Sequence, residues 1–576
     1  MIPMTHTPTA EQAHTLALFK TGRNLTITAL AGSGKTTTLK MLANASDQRM
    51  LYTSFGANVV RDAKASFPKN VRASTNHGLA WGSVGRLYAD AKRLPPESRL
   101  TPRVLQQHFD WRPAAFGGLD ANDGSRLVME TLTRFCQSAD PSLTSDHVPP
   151  PETVGTAGAL ALAGAAHGIL TCARKVWAEC ENPHSSLPIT HDTYLKLWAL
   201  SDPKLAYDVC LLDEAQDTNP LMVGVLLNQT HAQRIIVGDP FQQIYSWRGA
   251  VNAMTQFDCD HTAHLTQSFR FGDAIADAAN AVLGGHLESH TRVRGDPNHA
   301  SRLEVIAHPR VILSRTNASL ISEIVTALEQ RNSPRIAVVG GVDDLIRLVE
   351  GAHALERRER PTKCPELAEF AEWDEVRAYS KLTVGKDLQV LVRLVDAYGT
   401  HGLRRTLDRV RGHERDEDAA DLILSTVHKA KGREWPQIKL GDDFKAPPPK
   451  HATPEERLAA DWNPEEANLL YVALTRARDV LDVSTCSAWR DAADRFAQSQ
   501  GAPGNRATVS PLAMERTAQP LSDVNIPQAL NAHARTIVGA WLDLYAPSTF
   551  KDAAVALLNE AYPEARPAAH ARAGLR

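Results

Sequence analysis

The sequence predicts an α/β protein with two parallel-sheet domains, each carrying a mainly helical insertion. Three observations lead to this fold class. Near the N-terminus a short apolar strand runs into a glycine-rich turn and then a helix, over Leu25–Ala43. A later apolar strand, Tyr207–Leu212, ends in adjacent acidic residues. From Leu265 onward the alternation of apolar runs and helical segments starts again, which indicates a second domain of the same class.

The composition is that of an ordinary globular protein. The chain has 576 residues, of which 43% are hydrophobic and 22% charged, and its formal net charge is −3. Overall charge therefore does not indicate nucleic-acid binding, and any such contact must rest on local grooves. The seven cysteines are scattered without a Cys-x-x-Cys pair, which favours a reduced intracellular protein. The uncharged stretch Val154–Leu170 is rich in Ala and Gly and predicts a packed helix, not a membrane span.

The first strand leads into a phosphate-binding loop. The residues after Leu25–Ala29 fit the pattern [A/G]xxxxGK[ST], with Ala29 in its first position. Small residues let backbone N–H groups converge on phosphates, while Lys35 reaches the β- and γ-phosphates and Thr36 offers its hydroxyl to Mg²⁺. The predicted nucleotide contacts of the loop are Ala31, Gly32, Ser33, Gly34, Lys35, Thr36 and Thr37.

The next two strands, Met50–Ser54 and Val71–Ser74, end beside residues that suit a ligand-binding edge. Phe55, Thr75 and His77 come directly after them. Because ligands of open α/β sheets bind at the carboxyl ends of the strands, these side chains are candidates for nucleic-acid contact. The alternative is that they simply end their strands.

The acidic pair after Tyr207–Leu212 predicts the hydrolytic centre. Asp213 would hold the metal ion, and Glu214 would orient or deprotonate the attacking water. The residues between the two halves of this domain, 81–200, contain no nucleotide motif and are predicted to be helical.

The segment Arg234–Ala250 combines a phosphate sensor with aromatic side chains. A buried strand breaks at a Gly-Asp-Pro turn and is followed by Gln242. Tyr245 and Trp247, with Arg248 beside them, present faces on which bases stack. The alternative interpretation is a strand, a turn and a half-buried tryptophan.

The second domain supplies basic residues that suit the same reaction. Arg270 ends the segment LTQSFR, Leu265–Arg270, that opens the second half, and a helix predicted over Asn463–Leu481 carries Arg476. An arginine that offsets the charge developing on the γ-phosphate contributes about 10³–10⁵ in rate. Both arginines are therefore candidates to reach across a cleft between the two domains.

The ordered motifs GSGKT, DEAQD, VGDPFQQIYSWRGA, QSFR, TVHKAKGREW and YVALTRAR resemble those of superfamily 1A DNA helicases of the UvrD/Rep type. The resemblance runs from Gln12 to about Leu481. The pair of segments LYTSFGANVVRDAKASFP and TNHGLAW particularly resembles the F-box DNA helicase branch and its small prokaryotic or phage relatives. The resemblance implies two RecA-like P-loop domains and an ATP- and Mg²⁺-dependent 3′–5′ DNA helicase that acts in repair, recombination or replication. It also implies single-stranded DNA and single-strand/duplex junctions as partners and a monomer in isolation. The implied location is the cytoplasm, with the nucleoid, or the host cytoplasm if the protein is phage-encoded.

The resemblance also assigns roles to individual residues. It implies that Gln12 reads the adenine edge, that Phe269 stacks on adenine and that Glu434 lies near the ribose. Gln242, Arg270 and Arg476 would sense the γ-phosphate. Together with the residues noted above, the predicted DNA contacts are Phe55, Thr75, His77, Tyr245, Trp247, Arg248, Arg315, Asn317, Thr426, His428 and Lys431.

The predicted domain organisation follows from the positions of these motifs. The first domain comprises 1–80 and 201–258 around insertion 81–200. The second comprises 259–341 and 421–490 around a reduced insertion, 342–420. Residues 491–576 form a C-terminal helical tail whose apolar stripe packs on its own domain or docks a partner protein.

Two alternatives to a helicase share these motifs. One is a translocase that strips proteins from single-stranded DNA. The other is a DNA-stimulated ATPase that acts as a sensor or regulatory subunit, for instance in antiphage defence. An unrelated P-loop kinase or transporter ATPase is disfavoured, because neither needs aromatic residues beside Gln242 or a second arginine-bearing domain.

Overall fold

The computed structural model describes residues 7–501, apart from 55, 97, 151–155, 247–248, 250, 331–333, 360–363, 368–369, 382–385, 413–414, 450–451, 454–456 and 458–461. Three predicted DNA contacts, Phe55, Trp247 and Arg248, lie outside the described residues. So does most of the predicted tail, from 502 to 576.

Two six-stranded parallel sheets form the framework, which confirms the predicted fold class. The first sheet has the order β3-β2-β4-β5-β1-β6. Its strands are β1 Leu25–Ala29, β2 Met50–Ser54, β3 Val71–Thr75, β4 Val209–Leu212, β5 Gln233–Gly238 and β6 His261–Leu265. The second sheet has the order β7-β12-β11-β8-β10-β9. Its strands are β7 Arg302–Leu303, β8 Val311–Ser314, β9 Ile336–Val338, β10 Leu422–Thr426, β11 Trp435–Leu440 and β12 Ala477–Asp482.

Helices follow most strands and fill both insertions. Those of the first half are α1 Ala10–Phe19, α2 Lys35–Asn44, α3 Ala57–Ser66, α4 Asn76–Ala80, α5 Arg86–Asp90, α6 Pro102–Phe109, α7 Ala121–Gln137, α8 Thr156–Glu181, α9 His191–Leu200 and α10 Pro220–Leu227. Those of the second half are α11 Asp273–Gly285, α12 Asn317–Gln330, α13 Asp343–Glu356, α14 Trp373–Ser380, α15 Lys386–Val410, α16 Val427–Ala430, α17 Pro464–Leu474 and α18 Ser487–Gly501. Among the helices described, none has the length and apolar character needed to cross a membrane.

Each insertion covers one face of its sheet. In β2, Met50 and Tyr52 pack with α2 and α3, whereas Leu51 points to the other face and joins the core of the first insertion. In β10, Ile423 joins the core of α11 and α17, whereas Leu424 packs with the helices of the second insertion. Burial on both faces explains why these strands are continuous apolar runs without polar alternation.

Three predicted boundaries are wrong. The predicted second domain begins at 259, but β6 pairs in parallel with β1 of the first sheet. The predicted helix Asn463–Leu481 ends at Leu474, and Ala477–Asp482 is a strand. The predicted tail boundary at 490–491 falls inside α18, which packs so closely on α11 that a Cβ at Gly285 would lie 2.1 Å from the Ala492 carbonyl oxygen.

Candidate nucleotide site and nucleic-acid interface

The loop between β1 and α2 has the shape of a phosphate cradle. Gly32 and Gly34 have φ of 73° and 76°, the left-handed region that glycine adopts without strain. A Cβ at Gly32 would lie 2.4 Å from the Ser268 hydroxyl, so the second domain approaches the loop too closely for any side chain there. The Ser33 hydroxyl is buried without a hydrogen-bond partner in the described part of the chain. A bare loop with an unsatisfied polar atom fits the phosphates of a nucleotide.

Lys35 meets the two predicted catalytic carboxylates. Its Nζ lies 2.6 Å from Glu214 Oε1 and 3.9 Å from Asp213 Oδ1. Burial by itself lowers the pKa of Lys35, but the charges of Glu214 and Asp213 outweigh burial and raise the pKa above its ordinary value. The ammonium group is therefore fixed as a cation at the mouth of the cradle.

The two carboxylates are held in different ways. The Tyr52 hydroxyl donates to Asp213 Oδ2 over 2.5 Å, and burial raises the pKa of Asp213. Burial also acts to raise the pKa of Glu214, but the charges of Lys35 and Lys431 outweigh it and lower the pKa to about 2. Glu214 has φ of 54°, a left-handed conformation that is costly for a non-glycine residue and is concentrated at functional sites.

A chain of hydrogen bonds connects Glu214 to the turn after β5 that carries Gln242. Gln216 Nε2 donates to Glu214 Oε2 over 2.6 Å, and Gln216 Oε1 accepts from the Asp239 amide over 3.1 Å. Gln242 Nε2 donates to Asp239 Oδ2 over 2.7 Å. Burial raises the pKa of Asp239 to about 6. The predicted phosphate sensor is thus tied to the predicted catalytic base through Gln216, a residue that the sequence analysis did not single out.

The second domain brings both predicted arginines to this site. Arg476 is 2% exposed in the turn after α17, and its Nη2 lies 3.5 Å from Gln242 Oε1. Burial, together with the nearby charge of Arg270, lowers the pKa of Arg476 to about 9. Arg270 donates from Nε to Glu434 Oε2 over 2.7 Å and from Nη1 to the Thr475 carbonyl over 2.9 Å. The two domains therefore meet on one site.

Tyr471 makes a further bridge between the domains that sequence reasoning missed. Its hydroxyl, fully buried on α17, accepts from the Ala31 amide over 3.2 Å and donates to Asp239 Oδ2 over 3.3 Å. Tyr471 lies in the YVALTRAR motif, so its motif position was the available signal. One side chain of the second domain thus contacts the phosphate loop and the acid that orients Gln242.

The residues predicted for the base and sugar gather at the other end of the loop. A Cβ built at Gly34 would lie 3.2 Å from the Phe269 ring and 3.4 Å from Gln12 Nε2. Gln12 is fixed by a capping box with Thr9 at the start of α1, whereas Phe269 is 47% exposed. Glu434 is partly exposed and pairs with Arg270. An exposed aromatic ring beside a fixed amide fits a purine base, and that role stays a prediction.

The site suits ATP and a hard divalent cation. Thr36 opens α2 next to Lys35, and Asp213 is the buried carboxylate nearest to the lysine after Glu214. Hydroxyl and carboxylate oxygens, completed by phosphates and water, are the ligands that Mg²⁺ takes in nucleotide sites.

Five of the predicted DNA contacts, Tyr245 of the first domain and four residues of the second, line one cavity with a volume of about 840 Å³. They are Tyr245, Arg315, Asn317, Thr426 and His428. The second insertion forms the opposite wall of this cavity, with Phe370 and Tyr379 among its lining residues. None of the predicted DNA contacts lies in this insertion, so its contribution to the cavity was not expected from the sequence.

Two cations predicted to contact DNA are instead paired with carboxylates. Arg315 forms a bidentate pair with Glu466, at 2.6 and 2.7 Å, and its Nη1 lies 3.0 Å from Asp387 Oδ1. Lys431 pairs with Asp217 and donates to the Gln242 carbonyl over 2.6 Å. In this conformation neither cation is available to a phosphate, and their DNA roles stay predictions.

Lys431 also connects the two candidate sites. Its Nζ lies 5.1 Å from the centre of the Tyr245 ring, and the Tyr245 hydroxyl donates to the His428 carbonyl over 3.1 Å. Asp217, its carboxylate partner, belongs to the same acidic loop as Glu214. One side chain therefore contacts both the loop of the catalytic base and the wall of the DNA cavity.

The remaining described contacts lie on the first domain. The Thr75 hydroxyl caps α4 by accepting from the Gly78 amide over 3.0 Å. His77 Nε2 lies 3.0 Å from Asp192 Oδ1, so it joins the first domain to helix α9 of its insertion. Thr75 therefore does end its strand and begin a helix, as the alternative interpretation holds, and contact with nucleic acid stays a prediction for both residues.

Comparison with known families matches both halves of the chain. Residues 188–261 match the UvrD/REP helicase N-terminal domain, and residues 345–488 match the UvrD-like helicase C-terminal domain. The first match includes the acidic loop and Gln242, and the second includes Lys431 and Arg476.

Similar proteins include two F-box DNA helicases. The chain is 30% identical to F-box DNA helicase 1 of Gallus gallus over 80% of this chain and 47% of the relative. It is 30% identical to F-box DNA helicase protein 1 of Schizosaccharomyces pombe over 79% of this chain and 55% of the relative. The ATP-dependent DNA helicase PcrA of Leuconostoc citreum is 42% identical over 84 residues, which is 13% of this chain and 11% of the relative. The chain thus spans about half the length of the F-box relatives.

Proposed function

We propose that this protein, a member of the UvrD-type superfamily 1 helicases, is an ATP-driven motor. It moves 3′–5′ along single-stranded DNA and separates duplex strands. The observation that carries the proposal is the convergence of two domains on one nucleotide site. Arg476 and Tyr471 of the second domain contact Gln242 and the phosphate loop of the first. Residues placed this way make domain closure depend on the nucleotide.

The residues of the site have separable tasks in ATP hydrolysis. Lys35 holds the β- and γ-phosphates, and Glu214, ionised at neutral pH because its pKa is about 2, orients the attacking water through its carboxylate. Thr36 and Asp213 are the residues that would hold a Mg²⁺ ion, which neutralises phosphate charge when bound. Arg476 and Arg270 offset the charge that develops on the γ-phosphate.

Hydrolysis would be coupled to DNA through the residues that touch both sites. When the γ-phosphate leaves, Gln242 and Arg476 lose a common partner, and the domains are free to separate. Lys431 connects Asp217 of the acidic loop to Tyr245 in the DNA cavity. A change in the loop therefore displaces a cation that lies on the ring of Tyr245, where a base would stack.

The DNA grip expected of this arrangement is independent of sequence. Any of the four bases can stack on an aromatic side chain, and a phosphate is the same whatever base it carries. Because the phosphate contacts are electrostatic, affinity should fall as the salt concentration rises. We propose single-stranded DNA and single-strand/duplex junctions as the substrates, with DNA repair or recombination as the setting.

The test combines ATPase and strand-displacement assays on the full chain. ATP hydrolysis is measured with and without single-stranded DNA, and unwinding is measured on matched duplexes with a 3′ or a 5′ tail. Lys35→Ala, which removes the phosphate-binding cation, is the inactive control. We expect DNA-stimulated hydrolysis and displacement from the 3′ tail alone.

Three other outcomes would change the proposal. Displacement from the 5′ tail would reverse the polarity. Stimulation without displacement would favour a translocase that strips proteins, or a DNA-stimulated ATPase sensor. Hydrolysis that does not respond to DNA would exclude a DNA motor.

A further inference from the structure

A groove on the first domain lies outside all the predicted contacts. It runs along β3, the edge strand of the first sheet, and has a volume of about 400 Å³. Arg72 and Ser74 of β3, Lys64 of α3, Gly78 and Trp81 are among its lining residues. The groove therefore combines two cations with one large aromatic ring.

Trp81 is held in place and yet exposed. It is 42% exposed, whereas the other described tryptophans are buried or half-buried. Its ring meets Tyr194 edge-on, with centroids 6.0 Å apart, and a Cβ at Gly85 would lie 2.9 Å from the ring. Trp81 opens a π-helical turn, Trp81–Gly85, a distortion that is frequent at functional sites. A fixed aromatic face open to solvent is what a stacking platform requires.

The two cations of the groove are free to bind. Lys64 and Arg72 are exposed, and among the described residues neither has a carboxylate partner. Arg315 and Lys431, in contrast, are both ion-paired. A free cation gains more from a phosphate than a paired one, because no existing ion pair has to break.

The groove continues from the carboxyl end of the sheet. Gly78 lies between Thr75 and Trp81, and a Cβ there would come within 2.7 Å of the Ser74 hydroxyl, so glycine keeps the passage open. The Tyr194 ring touches both Trp81 and His77, with centroids 6.0 and 5.9 Å away. A strand of nucleic acid that passes Thr75 and His77 would reach Trp81 next.

The alternative ligand for an exposed edge strand such as β3 is an extended peptide that pairs with it as a further strand. Both ends of the strand already use their backbone groups. The Val71 amide donates to the Pro68 carbonyl over 3.0 Å, and the Thr75 carbonyl accepts from the Ser74 hydroxyl over 3.1 Å. Two unpaired cations beside an aromatic ring favour a polyanion with stackable bases over a peptide.

We propose that this groove binds one or more nucleotides of single-stranded DNA, with a base stacked on Trp81 and phosphates contacted by Arg72 and Lys64. The proposal rests on the proposed function, since it extends the DNA path of the same motor. It gives the first domain a grip on DNA that is separate from the cavity around Tyr245.

The test measures binding of a labelled oligothymidylate to the full chain by fluorescence anisotropy over a range of salt concentrations. We expect Trp81→Ala to weaken binding by about 5- to 100-fold, as loss of one stacked base does, and Trp81→Phe to recover most of it. Arg72→Gln and Lys64→Gln should each reduce the slope of log affinity against log salt by about 0.7, as loss of one phosphate contact on a single strand does. Arg49→Gln, which removes an exposed cation at the opposite end of β2, should leave the slope unchanged.

The outcomes separate this proposal from the proposed function. If wild-type ATP hydrolysis responds to DNA but all groove variants bind the oligothymidylate with wild-type affinity and wild-type salt dependence, the groove is not a DNA site. The same result with capture of an extended peptide would identify a strand-addition site instead. Equal losses on blunt duplex and on oligothymidylate would make it a duplex contact and overturn the single-strand assignment. If each variant unfolds at the wild-type midpoint, the losses of binding do not come from misfolding. If Trp81→Ala unfolds at a lower midpoint, recovery of binding by Trp81→Phe still supports Trp81 as a stacking platform.

Discussion

The nucleotide cleft and the nucleic-acid face use their charged residues in opposite ways. In the cleft, the half-buried Lys35 and Glu214 pair with each other, and their mutual charge fixes both in the form that phosphate chemistry needs. On the nucleic-acid face, the cations that motif position favours, Arg315 and Lys431, are neutralised. The unpaired cations Lys64 and Arg72 are not among the predicted DNA contacts. A site for one small ligand is preorganised by buried pairs, whereas a grip on a polyanion needs charges with no internal partner.

The largest effect should come from the arginine that closes the cleft. We expect Arg476→Ala to lower kcat for ATP hydrolysis by about 10³–10⁵, because the guanidinium acts on charge that develops only in the transition state. Binding of a fluorescent ATP analogue should change far less than kcat. Arg478→Ala removes a half-exposed arginine two residues away and serves as the control. An equal loss in both variants would show that the effect comes from general charge and not from the position of Arg476.

A smaller effect should follow from loss of the Tyr471 bridge. Tyr471→Phe leaves the Ala31 amide and one Asp239 oxygen without this buried partner, and an unsatisfied buried group costs about 1–3 kcal/mol. We expect a lower midpoint of thermal unfolding and a kcat reduced by about tenfold, measured by steady-state ATPase. Unchanged kcat with a lowered midpoint would limit Tyr471 to a structural role.

The ion pairs of Arg315 test whether a paired cation contributes less to DNA binding than an unpaired one. Breaking a buried pair by removing one partner costs about 3–5 kcal/mol, so Arg315→Gln should lower the midpoint of thermal unfolding clearly. If Arg315 stays paired when DNA binds, the salt dependence of oligothymidylate binding will change less than in Arg72→Gln. A full loss of about 0.7 in slope would show that Arg315 leaves its carboxylates for a phosphate, as its motif position predicts.

The sequence predicted the cleft far better than the nucleic-acid face, and the reason is physical. The phosphate loop and the acidic pair are local motifs that directly follow β1 and β4, whose buried runs mark their bounds. The partners of Arg315 and Lys431 are 151 and 214 residues away in the chain, so no local pattern shows that these cations are neutralised. The exposure of Trp81 likewise depends on what packs around it.

The errors in element boundaries have similar causes. β6 was missed because Thr262 and His264 are exposed and, with His261, break the apolar run that marks the other strands of the sheet. The helix predicted over Asn463–Leu481 was too long because the polar residues between the apolar runs of α17 and β12 are also tolerated inside a helix. The turn between α17 and β12 consists of Thr475 and Arg476, and it contains no glycine or proline that would mark it in the sequence.

The central claim is that the nucleotide cleft and the nucleic-acid face are connected, and Lys431 tests it most directly. Lys431→Gln removes the charge that joins Asp217 to the Tyr245 ring. The measurement is the ratio of ATP hydrolysis at saturating single-stranded DNA to hydrolysis without DNA, with Lys445→Gln, a cation paired to Asp387 away from the acidic loop, as the control. We predict that the ratio falls toward one in Lys431→Gln and stays near the wild-type value in Lys445→Gln. A wild-type ratio in Lys431→Gln would contradict the connection.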